Sequence, residues 1–260
     1  MSTFLFDEII FGPVKSRRLG VSLGINLLPT RRKICNFNCI YCECGWTPDI
    51  KKAVSHLPAR KEVEKALDLK LSEMKAKNQV PDVLTYAGNG EPTLHPEFPG
   101  IIDDSIILRD RYFPKAKIAV LSNSTTIGDP LIKAALLKVD MNILKLDSAF
   151  DSTVKIHNQS RINIKVEELI NNLIGFKGKL IIQTLFLRGM YNGQVIDNTT
   201  TEEIIAWLKA IQRIKPSEVM IYTISRDTPE GGKLKKVPVM ELRGIAALVE
   251  NLGIKTQVSG

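Results

Sequence analysis

Lys117-Ile118-Ala119-Val120-Leu121-Ser122, then Asp129-Pro130, then Met141-Asn142-Ile143-Leu144-Lys145-Leu146 is the stretch that decides the fold. Each six-residue run is almost wholly apolar and bounded by polar residues, which predicts a buried strand. Between them Asp129 reads as an N-cap, with Pro130 at the first helical position, where its missing N–H costs nothing. A strand, a helix and a second strand in so short a span predict parallel neighbours, because parallel pairing needs a crossover connection.

The same alternation extends in both directions. Further apolar runs stand at Val21–Leu27, Asp82–Ala87, Leu180–Phe186 and Glu218–Ile224. Between them lie helical stripes: Val63, Leu67, Leu71 and Met74; Val166, Leu169, Ile170 and Leu173; Ile204, Leu208 and Ile211; Leu242, Ile245, Val249 and Leu252. Thr200 with Glu203 predicts a capping box, Gly253 a C-terminal glycine cap, and Ile254–Val258 a small extra strand. Ile181-Ile182 and Val219-Met220-Ile221 fit strands buried on both faces. The reading is α/β, about six β/α units around a parallel sheet, either open or curved like a barrel. In both, functional residues belong at the carboxyl ends of the strands.

The chain has 260 residues, 44% hydrophobic and 25% charged, with no linker, repeat or low-complexity stretch, so we expect one domain over 1–260. No apolar run nears the roughly 18 residues that span a bilayer. Met1 to Ile10 contain Asp7 and Glu8 and no basic start or cleavage site, which predicts no secretion signal and a cytoplasmic setting. The net charge of +8 is locally concentrated: Lys15, Arg17 and Arg18 precede the cysteines, Arg31, Arg32 and Lys33 abut them, and Lys51 and Lys52 follow. Such a surface suits an acidic electron carrier such as flavodoxin or ferredoxin, or RNA phosphates.

All four cysteines lie between Cys35 and Cys44. A disulfide scaffold would spread them to close long loops; crowding points to metal or redox chemistry. Cys35, Cys39 and Cys42 form a Cys-x3-Cys-x2-Cys loop just after the Val21–Leu27 strand. Thiolates are the soft ligands of iron–sulfur clusters, and three of them leave one iron of a four-iron cube without a protein ligand. Cys44, two residues on, is poorly spaced to reach the remaining corner. A closed four-thiolate zinc site of Cys35, Cys39, Cys42 and Cys44 is the competing reading.

The Asp82–Ala87 strand ends in Gly88-Asn89-Gly90-Glu91-Pro92-Thr93-Leu94-His95, where glycines permit close backbone approach and Glu91 supplies an anion. Arg188 and Arg226 follow the fifth and sixth strands on long segments, 186–200 and 223–238, read as substrate-facing loops. His56 and His157 are read as surface residues.

Cys35 to Cys42, with Tyr41 before the last cysteine, resembles the signature of radical S-adenosylmethionine (SAM) enzymes. The resemblance implies a partial (β/α)6 TIM-like barrel in which Cys35, Cys39 and Cys42 bind a 4Fe-4S cluster and Tyr41 lies near the SAM adenine. Gly88, Gly90 and Glu91 resemble the family's Gly-Gly-Glu motif, which meets the SAM amino group; Asn89 between the glycines departs from it. Ser122, Asn123, Lys145 and Asp147 are then placed to hold the SAM carboxylate and ribose, or are ordinary polar strand caps. Gly12-Pro13, the run Ser16 to Gly20, Gly90 to Pro96 and Gln183 to Gly189 resemble the wyosine-type branch, which implies tRNA as a substrate. Archaeal members carry a second three-cysteine cluster, for which this chain has too few cysteines. The resemblance assigns no protein acid or base, so no catalytic residue is named.

Overall fold

The fold is described from a computed structural model covering residues 4–48 and 57–260. Lys51, Lys52, His56 and positions 49–50 of the expected cluster loop, 28–50, lie outside the described residues.

The parallel strands are β2 (Gly20–Ile25), β3 (Val83–Tyr86), β4 (Lys117–Ser122), β5 (Met141–Lys145), β6 (Ile181–Tyr191), β8 (Glu218–Thr223) and β10 (Lys255–Ser259). They lie side by side in that order, each parallel to the next, with β1 (Ile10–Ser16) antiparallel to β2 at one edge. The sheet is open, as expected for a partial barrel.

Successive strand side chains point to opposite faces, so parity sorts the barrel. Val83, Ala119, Ile143, Ile181 and Met220, one from each of five neighbouring strands, pack together as the inner layer. The opposite face meets the helices α1 (Arg60–Ala76), α2 (Phe98–Tyr112), α3 (Pro130–Leu136), α4 (Asp151–Asn158), α5 (Val166–Ile174), α6 (Thr201–Ile214) and α7 (Val239–Glu250). The predicted stripes of α1 and α5 are buried throughout. Each such side chain contributes about 1.5–3 kcal/mol when fully buried. Asp129 accepts from the N–H groups of Leu131 and Ile132, so the deciding stretch folds as read.

Three departures stand out. β6 continues to Tyr191 and pairs antiparallel with β7 (Gln194–Asp197) and β9 (Leu234–Lys236), so the segments 186–200 and 223–238 are partly a three-stranded extension rather than plain loops. Leu252 lies beyond α7 and is 38% exposed, outside the helix stripe. Thr200 caps the Glu203 N–H, but the Glu203 carboxylate accepts from Ser148 and Thr153 instead of closing the box. Among the described residues no helix is long and apolar enough to cross a membrane.

Candidate functional site

The cysteine loop lies across the strand ends because two neighbours grip it. On one side Ile34 forms a parallel bridge with Gly90: the Ile34 N–H donates to the Asn89 carbonyl at 2.9 Å, and the Glu91 N–H to the Ile34 carbonyl at 3.0 Å. Gly90 has φ +136°, and a Cβ there would stand 1.8 Å from the Ile34 oxygen. Gly88 is pressed as closely against Asn26, where a Cβ would stand 2.4 Å from Oδ1. The close approach these glycines permit is therefore to the protein's own chain. Asn89 sustains it, its side chain bonding Phe6 and Pro29. On the other side the N–H groups of Asn38 and Ile40 donate to the Asn158 and His157 carbonyls of α4 at 2.8 and 3.0 Å.

The sulfurs sit among donors. The Phe37 N–H lies 3.4 Å from Cys35 Sγ, and the Asn123 and Asn158 amides lie 3.5 Å from Cys35 and Cys39 Sγ. Lys33 is only 3% exposed, not the surface charge expected, and donates to the Gly45 carbonyl at 2.8 Å. Burial works to lower its pKa, but Cys42, Cys39 and Cys35 outweigh burial and raise it. Burial and the Glu91 carboxylate push the Cys35 thiol up to about 12, and burial raises Cys39. The Cys42 thiol is lowered, first by the hydrogen bond from Cys44 and then by Lys33. The single Cys44 S–H is shared with the Gly88 carbonyl, 3.4 Å from its sulfur.

Among the described residues no group of three or more His, Cys, Asp or Glu is arranged to hold a metal ion. The fit to a cluster rests on the donor set. Three soft thiols share one buried loop with an ammonium and amide N–H groups aimed at sulfur, which metal-bound thiolates need for compensation and neutral thiols do not. The residues present fit a 4Fe-4S cluster.

Beside Cys35, Glu91 is 2% exposed and accepts from the Thr93 N–H and hydroxyl and from the Asn123 N–H, the last at 2.6 Å. Burial still raises its pKa. The Asn123 amide donates to Asn36 Oδ1 at 2.7 Å, and Ser122 accepts from the Ser124 N–H at 3.1 Å. Glu91 and Asn123 thus join the ends of β3 and β4, and the Asn123 amide ties them to the loop at Cys35 and Asn36.

Beside Cys39 stands a charged group. Lys145 and Asp147 follow Ile143 at spacing two, so the inner-face parity turns both inward. Lys145 Nζ lies 3.3 Å from Asp147 Oδ2 and donates to the Tyr41 hydroxyl at 2.8 Å, while Tyr41 donates to Asp147. Asn158 Nδ2 reaches Asp147 at 2.8 Å and Tyr41 at 3.0 Å. With Cys39 as third neighbour, its two hydrogens serve three acceptors. Burial opposes the charges of Lys145 and Asp147, but each holds the other ionised: Lys145 is raised and Asp147 lowered. Burial and Asp147 keep the Tyr41 proton on.

The structure thus gathers every residue named for the cluster and SAM around the cysteine loop, in two groups. Arg188 lies apart, bonded to Asp197, Thr199 and Glu241, and Arg226 pairs with Glu43 at 2.8 Å. His95 is a buried strut between Pro58 and Glu97. His157, expected at the surface, is 1% exposed, because α4 buries Val154, His157 and Asn158, the last two against the loop, whose N–H groups their carbonyls accept. Asn158, Lys33 and Asn36 are contributors that the sequence reading did not single out for these contacts.

Solved structures similar to this fold include radical SAM enzymes. A radical SAM methyltransferase from Sphaerobacter thermophilus matches with a TM-score of 0.65 at 12% identity, over 92% of this chain and 65% of that one. Streptococcus suis SuiB bound to S-adenosylmethionine matches at 0.60 and 16%, over 92% and 47%. Archaeal TYW1 matches at 0.50 and 13%, over 88% and 71%, and so is one neighbour among several. No family model matches. Among curated proteins, the chain is 30% identical over 223 residues to the GTPase Obg of Brachyspira hyodysenteriae, covering 84% of itself but only 30% of that protein's length. It is 30% identical to the UPF0026 protein of Methanocaldococcus jannaschii, over 90% of itself and 68% of the relative. With the UPF0026 protein of Helicobacter pylori J99 the identity is 31% over 251 residues, 94% of this chain and 74% of that one; the chain belongs to the UPF0026 family.

Proposed function

We propose that the chain is a cytoplasmic radical SAM enzyme holding a 4Fe-4S cluster on Cys35, Cys39 and Cys42. The observation that carries this is the three-thiol loop seated on the strand ends of this fold and bridged through Ile34 to the Gly88–Glu91 motif. When bound, the cluster and SAM supply reductive carbon–sulfur cleavage and hydrogen abstraction from a substrate. The chain positions them. Its backbone at Gly88–Glu91 and the group Ser122, Asn123, Lys145, Asp147 and Tyr41 surround the place for SAM, and buried Phe37 and Ile40 keep water from beneath the loop.

Exposed Lys15, Arg17 and Arg31 favour RNA as substrate, in keeping with the wyosine-type resemblance, and an acidic flavodoxin or ferredoxin as electron donor. A small-molecule or protein substrate is the rival, separated by tRNA binding that weakens steeply with salt. Anaerobic reconstitution followed by SAM and a reductant tests the chemistry. The expected result is about four irons per chain and 5′-deoxyadenosine, both lost in Cys39→Ala. Zinc in place of iron and sulfide, or no 5′-deoxyadenosine, overturns it.

A further inference from the structure

Arg18 belongs to the β1–β2 turn, yet its side chain reaches the inner face of the sheet. Its guanidinium carbon lies 4.5 Å from the centre of the Tyr222 ring, and Nη1 donates to Gln183 Oε1 at 3.5 Å. Gln183 and Tyr222 stand two residues beyond Ile181 and Met220, so parity turns both inward. The turn is pinned by Gln257, whose amide donates to the Arg18 carbonyl at 3.1 Å. Gln257 Oε1 is itself buried without a hydrogen-bond partner.

Of the other cations around this space, two are paired with carboxylates, and Arg17 is exposed and turned to neutral oxygens. Lys145 faces Asp147, Arg226 pairs with Glu43, and Arg17 donates to the Gly260 carbonyl at 3.0 Å and Ser225 Oγ at 2.6 Å. Among the described residues Arg18 meets no carboxylate, only a neutral amide and an aromatic face. A half-buried guanidinium without a counter-charge is costly, and stacking on a ring leaves its edge free for the two-pronged grip on a carboxylate or phosphate that arginine makes best. Arg18 lines a cavity of about 80 Å³ together with Tyr41 and Glu43 of the cysteine loop, the Glu43 charge being offset by Arg226 at 2.8 Å. At about 30 Å³ per water, that is room for one oxyanion group.

We infer that Arg18 anchors a phosphate or carboxylate group of the substrate beside the cysteine loop. The word substrate rests on the radical SAM reading; the anion site does not. Equilibrium dialysis of radiolabelled inorganic phosphate against the anaerobically reconstituted chain tests it. Saturable binding is expected, at least tenfold weaker in Arg18→Gln and unchanged in Lys115→Gln, which removes an exposed cation from a separate cavity of about 640 Å³ that Arg18 also lines. Arg18→Lys keeps the charge and carries the same test should Arg18→Gln not fold; weaker binding is expected there too, since lysine lacks the fork. Retention of phosphate against excess acetate marks a phosphorylated substrate, and displacement by acetate a carboxylate. Binding of equal strength in the Arg18 variants and wild type, no saturable binding, or displacement of phosphate by SAM overturns the inference. 5′-Deoxyadenosine formation in the same preparation reports the radical chemistry separately, so either failure is recognised alone.

Discussion

At the end of β3 the cysteine loop is held by backbone against backbone; at the end of β5 it is held by buried charge. The first grip is the Ile34–Gly90 bridge, made possible by a residue without a Cβ. The second is Lys145 and Asp147 with Tyr41 and Asn158, where each group satisfies another. The first fixes where the loop lies and tolerates no added atom. The second tolerates a change of shape better than a change of charge, because a buried ion without its partner is what a protein interior penalises most.

Asp147→Asn should therefore have the largest effect on stability, about 3–5 kcal/mol, since it keeps the shape but strands Lys145. Urea unfolding measures it, and a Lys145→Gln, Asp147→Asn double variant should recover a large part. A single variant within about 1 kcal/mol of wild type would mean the pair behaves as an exposed one. Gly90→Ala comes next. The positive φ alone costs about 1–3 kcal/mol, and overlap with the Ile34 oxygen must displace the loop. Iron content after reconstitution should fall with stability; full iron content at wild-type stability would break the idea of a backbone grip. Tyr41→Phe is milder, about 1–2 kcal/mol for a donor lost to Asp147 and an acceptor lost to Lys145. Its effect should shrink in the double variant, because the charge-assisted part of its bonds is lost with Lys145 and Asp147 while the bond from Asn158 remains.

How far each grip was legible follows from the range of the interactions. The deciding stretch read correctly because its signals are local: Asp129 caps the N–H groups of the next residues. The cysteines and glycines were legible as motifs, and Lys145 and Asp147 as strand ends. Asn158 was not, since it lies 117 residues from Tyr41 and resembles any polar helix end. Strand β9 depends on distant pairing with β6, whereas β7 returns from β6 through an Asn192-Gly193 turn with both residues at positive φ. That turn is a local hairpin signal, which the sequence reading passed over because Val195, 79% exposed, breaks the alternation of a half-buried strand. Gln183 and Tyr222 did carry a signal. They are polar interruptions of apolar runs, on the parity of Ile181 and Met220, and that parity marks the interior.

Cys44 is where the two grips can be told apart with the smallest perturbation. Its thiol joins the glycine motif to the cysteine loop through the Gly88 carbonyl and lowers Cys42 by its hydrogen bond. Cys44→Ser keeps a donor of similar reach, so a stability change under about 1 kcal/mol is expected. If three thiolates suffice for the cluster, iron content should match wild type and 5′-deoxyadenosine should still form. A serine variant that loses iron would make Cys44 the fourth ligand. It would also close the corner that SAM needs, and the backbone grip would then be a way of delivering a ligand rather than of setting the loop's position.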